Sequence, residues 1–318
     1  MHKKREADMQ IRKNRRYLYD TPRALILIAV LLFIPLYGDA MSKGILRGIR
    51  LCVTTIIPAV FPFMILSSMM ISYAVFDNIR CLSRPFERIF HINRNGIPAF
   101  FCGTFCGFPL GAKCAAEAYE RGLLSKDECE RLIGFSSNAS PAFLICGVGA
   151  MQENPWEGVL FYVIMLISAV TVGALIGRKK TACTMQAATN GYGFSFTDAV
   201  ERAGIGTLHV CSYLLFFSAL IGILQAFVLK STFLCAITLP FLEIGSAVFF
   251  LSKSSIPKLA KRALIAFATS YGGLSVHLQA AGLLRGTGIS MKKYYLAKLL
   301  QGLLSALIIL ILGSLKIL

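Results

Sequence analysis

Inside an otherwise apolar chain lies a run that lipid-exposed backbone does not tolerate: Cys102-Gly103-Thr104-Phe105-Cys106-Gly107-Phe108-Pro109-Leu110-Gly111-Ala112-Lys113. A second polar, glycine-bearing run, Thr269-Ser270-Tyr271-Gly272-Gly273-Leu274-Ser275-Val276-His277-Leu278-Gln279, answers it, with Gly273 lying 166 positions beyond Gly107. Free N–H and C=O groups at membrane depth are costly unless protein or a water-filled cavity surrounds them. A pair of such interruptions, one in each half of a chain, is the sequence mark of a transport site.

The rest of the chain is membrane-like. Hydrophobic residues make up 56% of its 318 positions and charged residues 15%, with a mean hydropathy of +0.66. Several apolar runs are long enough to cross a bilayer as helices, so the expected fold is all-α and polytopic. The net charge of +17 would suggest nucleic acid in a soluble domain. Here the basic residues cluster in short segments between apolar runs, the pattern of cytoplasmic loops attracted to anionic lipids. No nucleic-acid partner is expected.

Residues 1–23 hold eight Lys/Arg against three acids and form a basic cytoplasmic N-terminus. The apolar run 24–38 reads as a retained first span, because it ends Pro35-Leu36-Tyr37-Gly38-Asp39-Ala40, without a small-residue cleavage site. Further spans are expected at 51–76, 132–150, 158–177, 204–229 and 233–251, with a last one ending the chain. Ser125 followed by Glu128 predicts a capped helix start. The acidic loop Glu153–Glu157 carries no base and is expected outside. Basic segments at Arg80 to Arg94, at Arg178-Lys179-Lys180, at Lys253, Lys258, Lys261 and Arg262, and at Arg285, Lys292, Lys293 and Lys298 are expected inside. Charge counting therefore turns both interruptions toward the cytoplasm. The first, too short to cross at 1.5 Å per residue, reads as a re-entrant hairpin.

Gly107 matches Gly273 and Gly122 matches Gly288 at one offset, and Arg84-Pro85-Phe86-Glu87 resembles Leu239-Pro240-Phe241-Leu242-Glu243 at a smaller one. Two degenerate repeats, 44–180 and 199–318, joined by a polar linker at 181–198, are the expected organisation. Whether they run parallel or inverted stays open.

A re-entrant hairpin leaves helix N-termini and free N–H groups near the bilayer centre, where glycine permits close approach and an anion is stabilised. Candidate substrate-binding residues are Gly103, Gly107 and Gly111 for backbone, and Lys113 and His277 for charge. Ser137, Asn138, Ser140, Ser275 and Gln279 are the hydrogen-bonding candidates, with Gly272 and Gly273 at the second break. Glycines four apart are equally a helix-packing device, and Lys113 equally a snorkelling charge. Glu243, the only acid in its apolar run, is the candidate for ion coupling. Gly158, at a span end, is expected to tolerate a larger side chain.

The ten cysteines fall on spans or at the cytoplasmic side and read as small apolar packing groups. Cys102, Cys106 and Cys114, taken with His277, match no zinc spacing, so no metal or other cofactor is expected. No HExxH, nucleophile elbow or P-loop is present, so the chain is not expected to be an enzyme, and uphill transport needs an ion gradient or a partner.

The first motif is followed by Glu117, Arg121-Gly122, Ser125-Lys126-Asp127-Glu128 and Gly134-Phe135-Ser136-Ser137-Asn138-Ala139-Ser140-Pro141-Ala142-Phe143. With Leu242-Glu243-Ile244 and the second motif, this order resembles the YlbJ family of sporulation integral membrane proteins, over roughly residues 44–313. The resemblance implies paired Gate, or nucleoside-recognition, domains and a role in endospore formation. It also implies that dipicolinate, a small aromatic dicarboxylate, is moved across a membrane around the developing spore. A bacterial multi-pass location follows, in the cell or forespore membrane, with a homo-oligomer or other spore membrane proteins as partners. A cation, metal or nucleoside-type permease and a non-transporting assembly factor for the spore envelope are the alternatives.

Overall fold

The computed structural model describes residues 36–72, 80–177, 195–228 and 231–316. The basic N-terminus, most of the expected first span and most of the 181–198 linker lie outside them. Among the described residues the structure is helical without strands, and three helices are long and apolar enough to cross a membrane: Pro155–Ile176, Phe196–Ala226 and Lys292–Ser314. The protein is an all-α membrane protein. Its last helix shows why: Leu296, Leu303, Leu307 and Leu310 face outward, whereas Lys298, Gln301 and Ser305 are fully buried. Apolar surface turned out and polar side chains turned in is the distribution that lipid, not water, imposes.

The chain enters on α1 (Gly38–Leu51), which continues without a break through a π-helical stretch, Cys52–Ile56, into α2 (Ile57–Ser72). Pro58 lacks the N–H that the α ladder would need, and the ladder widens just before it, the Ile57 N–H reaching back five residues to the Cys52 carbonyl. Next come α3 (Arg80–Phe90), α4 (Ile97–Phe105), α5 (Leu110–Glu120) and α6 (Lys126–Ser136). The expected capping box opens α6, with Ser125 and Glu128 satisfying each other's backbone N–H groups. After extended backbone at Ser137, a second π-helical stretch, Ala142–Val148, leads through α7 (Gly149–Met151) to α8 (Pro155–Ile176). The second half consists of α9 (Phe196–Phe227), α10 (Thr232–Leu242), α11 (Ile244–Lys253), α12 (Lys258–Tyr271), α13 (Gly273–Leu283) and α14 (Lys292–Ser314).

Close contacts fix the sense of each element. At one end of the bundle, which we call the first, Arg131 donates to the carbonyls of Phe90 and His91, and Lys293 pairs with Asp127 and Glu130. Gly177, just past α8, packs on the Phe90 carbonyl there. At the opposite end Arg262 forks onto the Glu157 carboxylate, its Nε 3.0 Å from both oxygens, and Gly313 packs on Leu259. Helices α4 and α5 fold back on each other with Gly103 against Gly111, so α4 begins and α5 ends at the first end. Helices α10 and α11 do the same around Leu239 and Ala247, and Lys261 reaches the Ser252 carbonyl at the opposite end. The order continuous helix, hairpin, broken helix, continuous helix therefore occurs twice. It runs once as α1–α2, α4–α5, α6–π, α8, and again in the opposite sense as α9, α10–α11, α12–α13, α14.

Three expectations are corrected. The run 233–251 is a hairpin turning at Glu243 rather than a span, and 132–150 is broken at 137–140. The two motifs are not each other's counterparts: the first is a hairpin turn, while the second interrupts a helix that crosses from one end to the other. Gly107, Gly122, Gly273 and Gly288 match because each has a positive φ, between 70° and 88°, the conformation that ends a helix with least strain on glycine. The third concerns charge. Glu157 and Arg262 form one ion pair, so the acidic loop and the 253–262 basic segment share a side.

Helix contact is close at several glycines and serines. Gly44 lies on the Ser218 carbonyl, a Cβ on Gly48 would stand 3.0 Å from the Ser218 Cβ, and Gly222 lies on the Ala40 carbonyl, which seats α9 antiparallel to α1. Gly158 is equally crowded, a Cβ there meeting the Leu144 carbonyl and the Ile145 Cα, which corrects the expected tolerance at that position. Single cysteines introduced at Asn154 and Lys258 in a cysteine-free version are expected to label from the same side of the membrane, and one at Lys292 from the other. Labelling of Asn154 and Lys258 from opposite sides would overturn this topology.

Candidate functional site

Four interruptions of helix meet at mid-height: the hairpin turn at Gly107-Phe108, the break at 137–140, the turn at Glu243 and the break at Gly272-Gly273. Phe108 joins them, its ring edge 3.3 Å from where a Cβ on Gly272 would stand. Together they wall a cleft of about 80 Å³ whose lining includes Gly107, Phe108, Ser140, Glu243, Ser275 and Gln279. Ile56, from the first π-helical stretch, and Val210 and Leu214 of α9 complete an otherwise apolar surface. A mostly apolar cavity with a few convergent polar groups is the ordinary form of a small-molecule site.

Each polar group has a definite setting. Glu243 is buried and caps α11, one carboxylate oxygen accepting from the Gly245 N–H at 2.7 Å and the other from the Ser246 N–H at 2.6 Å. This double cap uses the positive end of the helix to hold a negative side chain in the interior. Gln279 donates to the Ser275 hydroxyl at 3.3 Å, one turn apart on α13. The Ser140 hydroxyl accepts from the Phe143 N–H. Helices α5 and α13 begin beside the cleft with no side-chain cap on their first-turn N–H groups.

Of the sequence candidates, Gly107, Ser140, Ser275, Gln279 and Glu243 line the cleft. The others stand around it. Gly103 and Gly111 both press on the Ser136 carbonyl and serve helix packing. Lys113 is 3.9 Å from Glu117, one turn on, and does not line the cleft. Gly272 and Gly273 set the backbone of the break, Gly273 lying where a Cβ would come 3.1 Å from the Glu243 N–H nitrogen. His277 is enclosed by Tyr271, Tyr294 and Tyr295, with its Nδ1 3.1 Å from the Tyr294 hydroxyl. Ser137 and Asn138 lie one layer behind, in contact with a residue the sequence placed among cytoplasmic charges.

That residue is Lys298. It is fully buried, and its Nζ donates to the Ser137 carbonyl at 2.6 Å and to the Gln301 side-chain oxygen at 2.7 Å, with the Asn138 side-chain oxygen at 3.4 Å. Gln301 donates to Asn138 at 2.8 Å, and Asn138 to the Phe135 carbonyl at 2.8 Å. Phe108 presents its ring to the ammonium at 5.1 Å. The signal was present in the sequence: Lys298 and Gln301 are the polar pair, one turn apart, in the apolar run of α14. Counting Lys298 with its basic neighbours hid it. Those neighbours differ in kind: Lys293 pairs at the surface with Asp127, where burial pushes the carboxyl up but Lys293 and Arg131 outweigh it and hold it below its ordinary range.

Among the described residues no cluster of His, Cys, Asp and Glu is arranged to hold a metal ion. The thiols of Cys102, Cys106 and Cys114 are buried in helix packing around the first hairpin, and His277 stands apart among tyrosines.

Gly107 carries the strictest local requirement, since its φ is +88° and a Cβ would meet Ser140 at 2.8 Å. Gly107→Leu is expected to lower unfolding stability by roughly 3 kcal/mol, combining left-handed strain with overpacking. Gly204→Leu, which meets nothing within 4 Å, should stay within about 0.5 kcal/mol of the parent. Thermal unfolding of the purified variants checks the difference, and equal stabilities would contradict the crowded turn.

No family model and no solved structure matches the chain. It is similar to the sporulation integral membrane protein YlbJ of Bacillus subtilis (strain 168), being 26% identical over 331 residues that cover 91% of this chain and 80% of that protein. Similarity of that extent takes in both hairpins, both breaks and every residue that lines the cleft. The chain is thus similar, over nine-tenths of its length, to a protein of the YlbJ family of sporulation integral membrane proteins.

Proposed function

We propose that this protein is a membrane permease of the sporulating cell that passes a small anionic solute through the central cleft, without enzymatic chemistry. The observation that carries the reading is the meeting of four helix interruptions, two from each half, at one polar-and-apolar cavity. Helices are broken at membrane depth at considerable cost, and the gain is backbone polarity where a solute must shed water. The opposed order of elements in the two halves supports an inverted duplication, in which α4–α5 and α10–α11 act as re-entrant hairpins and rocking of one half against the other exposes the cleft alternately. The basic residues at the first end, Arg84, Arg88, Arg94, Lys126 and Lys292 among them, support a cytoplasmic position for it.

The uncapped starts of α5 and α13 supply N–H groups suited to a carboxylate, and Ser140, Ser275 and Gln279 supply further hydrogen bonds. Phe108 offers an aromatic face. These are the groups that dipicolinate, the substrate implied by the family resemblance, would need: donors for two carboxylates and a surface for a flat ring. A forespore membrane is the corresponding location.

A cation permease is the second reading, favoured by one observation: among the described residues Glu243 is the only charged side chain lining the cleft. Its two oxygens already hold the start of α11, and it faces the solute path. This position suits a carboxylate that takes up a proton or cation as it passes through the cleft.

Uptake of dipicolinate into vesicles containing the purified protein, driven by an imposed proton gradient, tests both readings. Ser275→Val combined with Gln279→Leu is expected to reduce uptake about tenfold or more, the loss of roughly two hydrogen bonds to a charged group, with little change in unfolding temperature. Glu243→Gln should remove concentrative uptake while leaving exchange of solute between the two sides. It should also cost about 1 kcal/mol of stability, because an amide oxygen replaces only part of the cap. Full accumulation by Glu243→Gln would make the carboxylate purely structural. Uptake of an alkali cation but not of dipicolinate would select the second reading.

A further inference from the structure

We propose that the Lys298 ammonium is a built-in monovalent cation, filling by its tether an oxygen-lined cation site at the 137–140 break, so that the fold needs neither Na⁺ nor K⁺ there. Helix α6 ends at Ser136, and its last carbonyls carry the negative end of the helix dipole into the interior. Unwound carbonyls at the end of a half-helix are the usual ligands for a coupling cation in membrane proteins with broken helices. Here the Ser137 carbonyl at 2.6 Å is joined by the Gln301 and Asn138 side-chain oxygens at 2.7 and 3.4 Å, all turned to the Lys298 Nζ.

The amide oxygens are locked in that direction. Gln301 spends its NH₂ on the Asn138 oxygen and on the Met165 carbonyl at 3.3 Å, and Asn138 spends its own on the Phe135 carbonyl. Neither amide can flip without stranding a buried donor. Every ligand is a neutral oxygen, and among the described residues no carboxylate pairs with Lys298. Neutral carbonyl oxygens are suited to a single positive charge, whereas divalent sites in proteins bring carboxylates. The Phe108 ring closes the remaining side at 5.1 Å, a further favourable contact for a cation. Hydrogen-bond donors alone would not need a charge here, since a serine or glutamine would serve. What the break lacks without Lys298 is a positive centre facing three oxygens and a ring.

The test reads stability and does not depend on the transport reading. Thermal unfolding of the purified protein is followed in NaCl, KCl and choline chloride at equal ionic strength. The wild type is expected to unfold at the same temperature in all three. Lys298→Ala should unfold lower in choline chloride and recover at least half of the loss, saturably, in Na⁺ or K⁺, because the shortened side chain vacates the site. Lys298→Met, which fills the space without charge, should be destabilised and should not respond to the cation. Indifference of folded Lys298→Ala to the choice of cation, or saturable stabilisation of the wild type by Na⁺ or K⁺, would overturn the proposal. If Lys298→Ala folds in none of the three salts, Lys298→Met decides: stability equal to the wild type would show that the break needs no cation, and a clear loss would uphold it.

Discussion

The fold depends on how peptide groups released by broken helices are satisfied where lipid cannot solvate them. Each of the four interruptions at mid-height frees N–H groups on one side and carbonyls on the other, and the chain answers each polarity with a side chain of opposite sign. Glu243 receives two N–H groups of α11, and Lys298 gives hydrogens to the carbonyl end of α6. The acid belongs to the second half and caps the tip of its own hairpin. The lysine also belongs to the second half but serves the break of the first, so the halves are tied through the group that is hardest to replace. An unpaired buried carbonyl or amide costs about 1–3 kcal/mol, and removing either charge strands two or more of them.

Small residues make this arrangement possible by letting elements approach until their backbones touch. Gly103 and Gly111 rest on a single carbonyl, that of Ser136, so the first hairpin is pinned against the end of α6 immediately before the break. Ser168, Ser270 and Ser305 join α8, α12 and α14 through hydroxyls 2.9 and 2.7 Å apart. These contacts surround the cleft rather than line it. They hold its walls, and the walls themselves carry little hydrogen bonding beyond Glu243, Ser140, Ser275 and Gln279.

What sequence reasoning reached and what it missed divide along a physical line. Local chemistry was legible: the capping box at Ser125 and Glu128, the interruption at Gly107, the isolation of Glu243 and the membrane character of the helices. Relations between distant segments were not. The pairing of Glu157 with Arg262 reverses the side assigned to a basic segment, and nothing within either segment announces it. Charge counting treats every lysine as solvated, which is right for Lys292 and wrong for Lys298, six residues further along the same helix. Equal spacing of glycines likewise reports where helices end, not which elements correspond, since a hairpin turn and a through-helix break both call for a positive φ.

The cleft's position follows from the same constraint. A continuous helix keeps its backbone to itself and can offer a solute only side chains, which on a lipid-compatible surface are mostly apolar. Only an interrupted helix presents peptide N–H and C=O groups to a ligand without demanding buried charges that would each need a partner. The chain accordingly concentrates its interruptions at one depth and spends its two central charges on the backbone, Glu243 at the wall of the cleft and Lys298 one layer behind it. The interior is left polar at the interruptions and apolar between them.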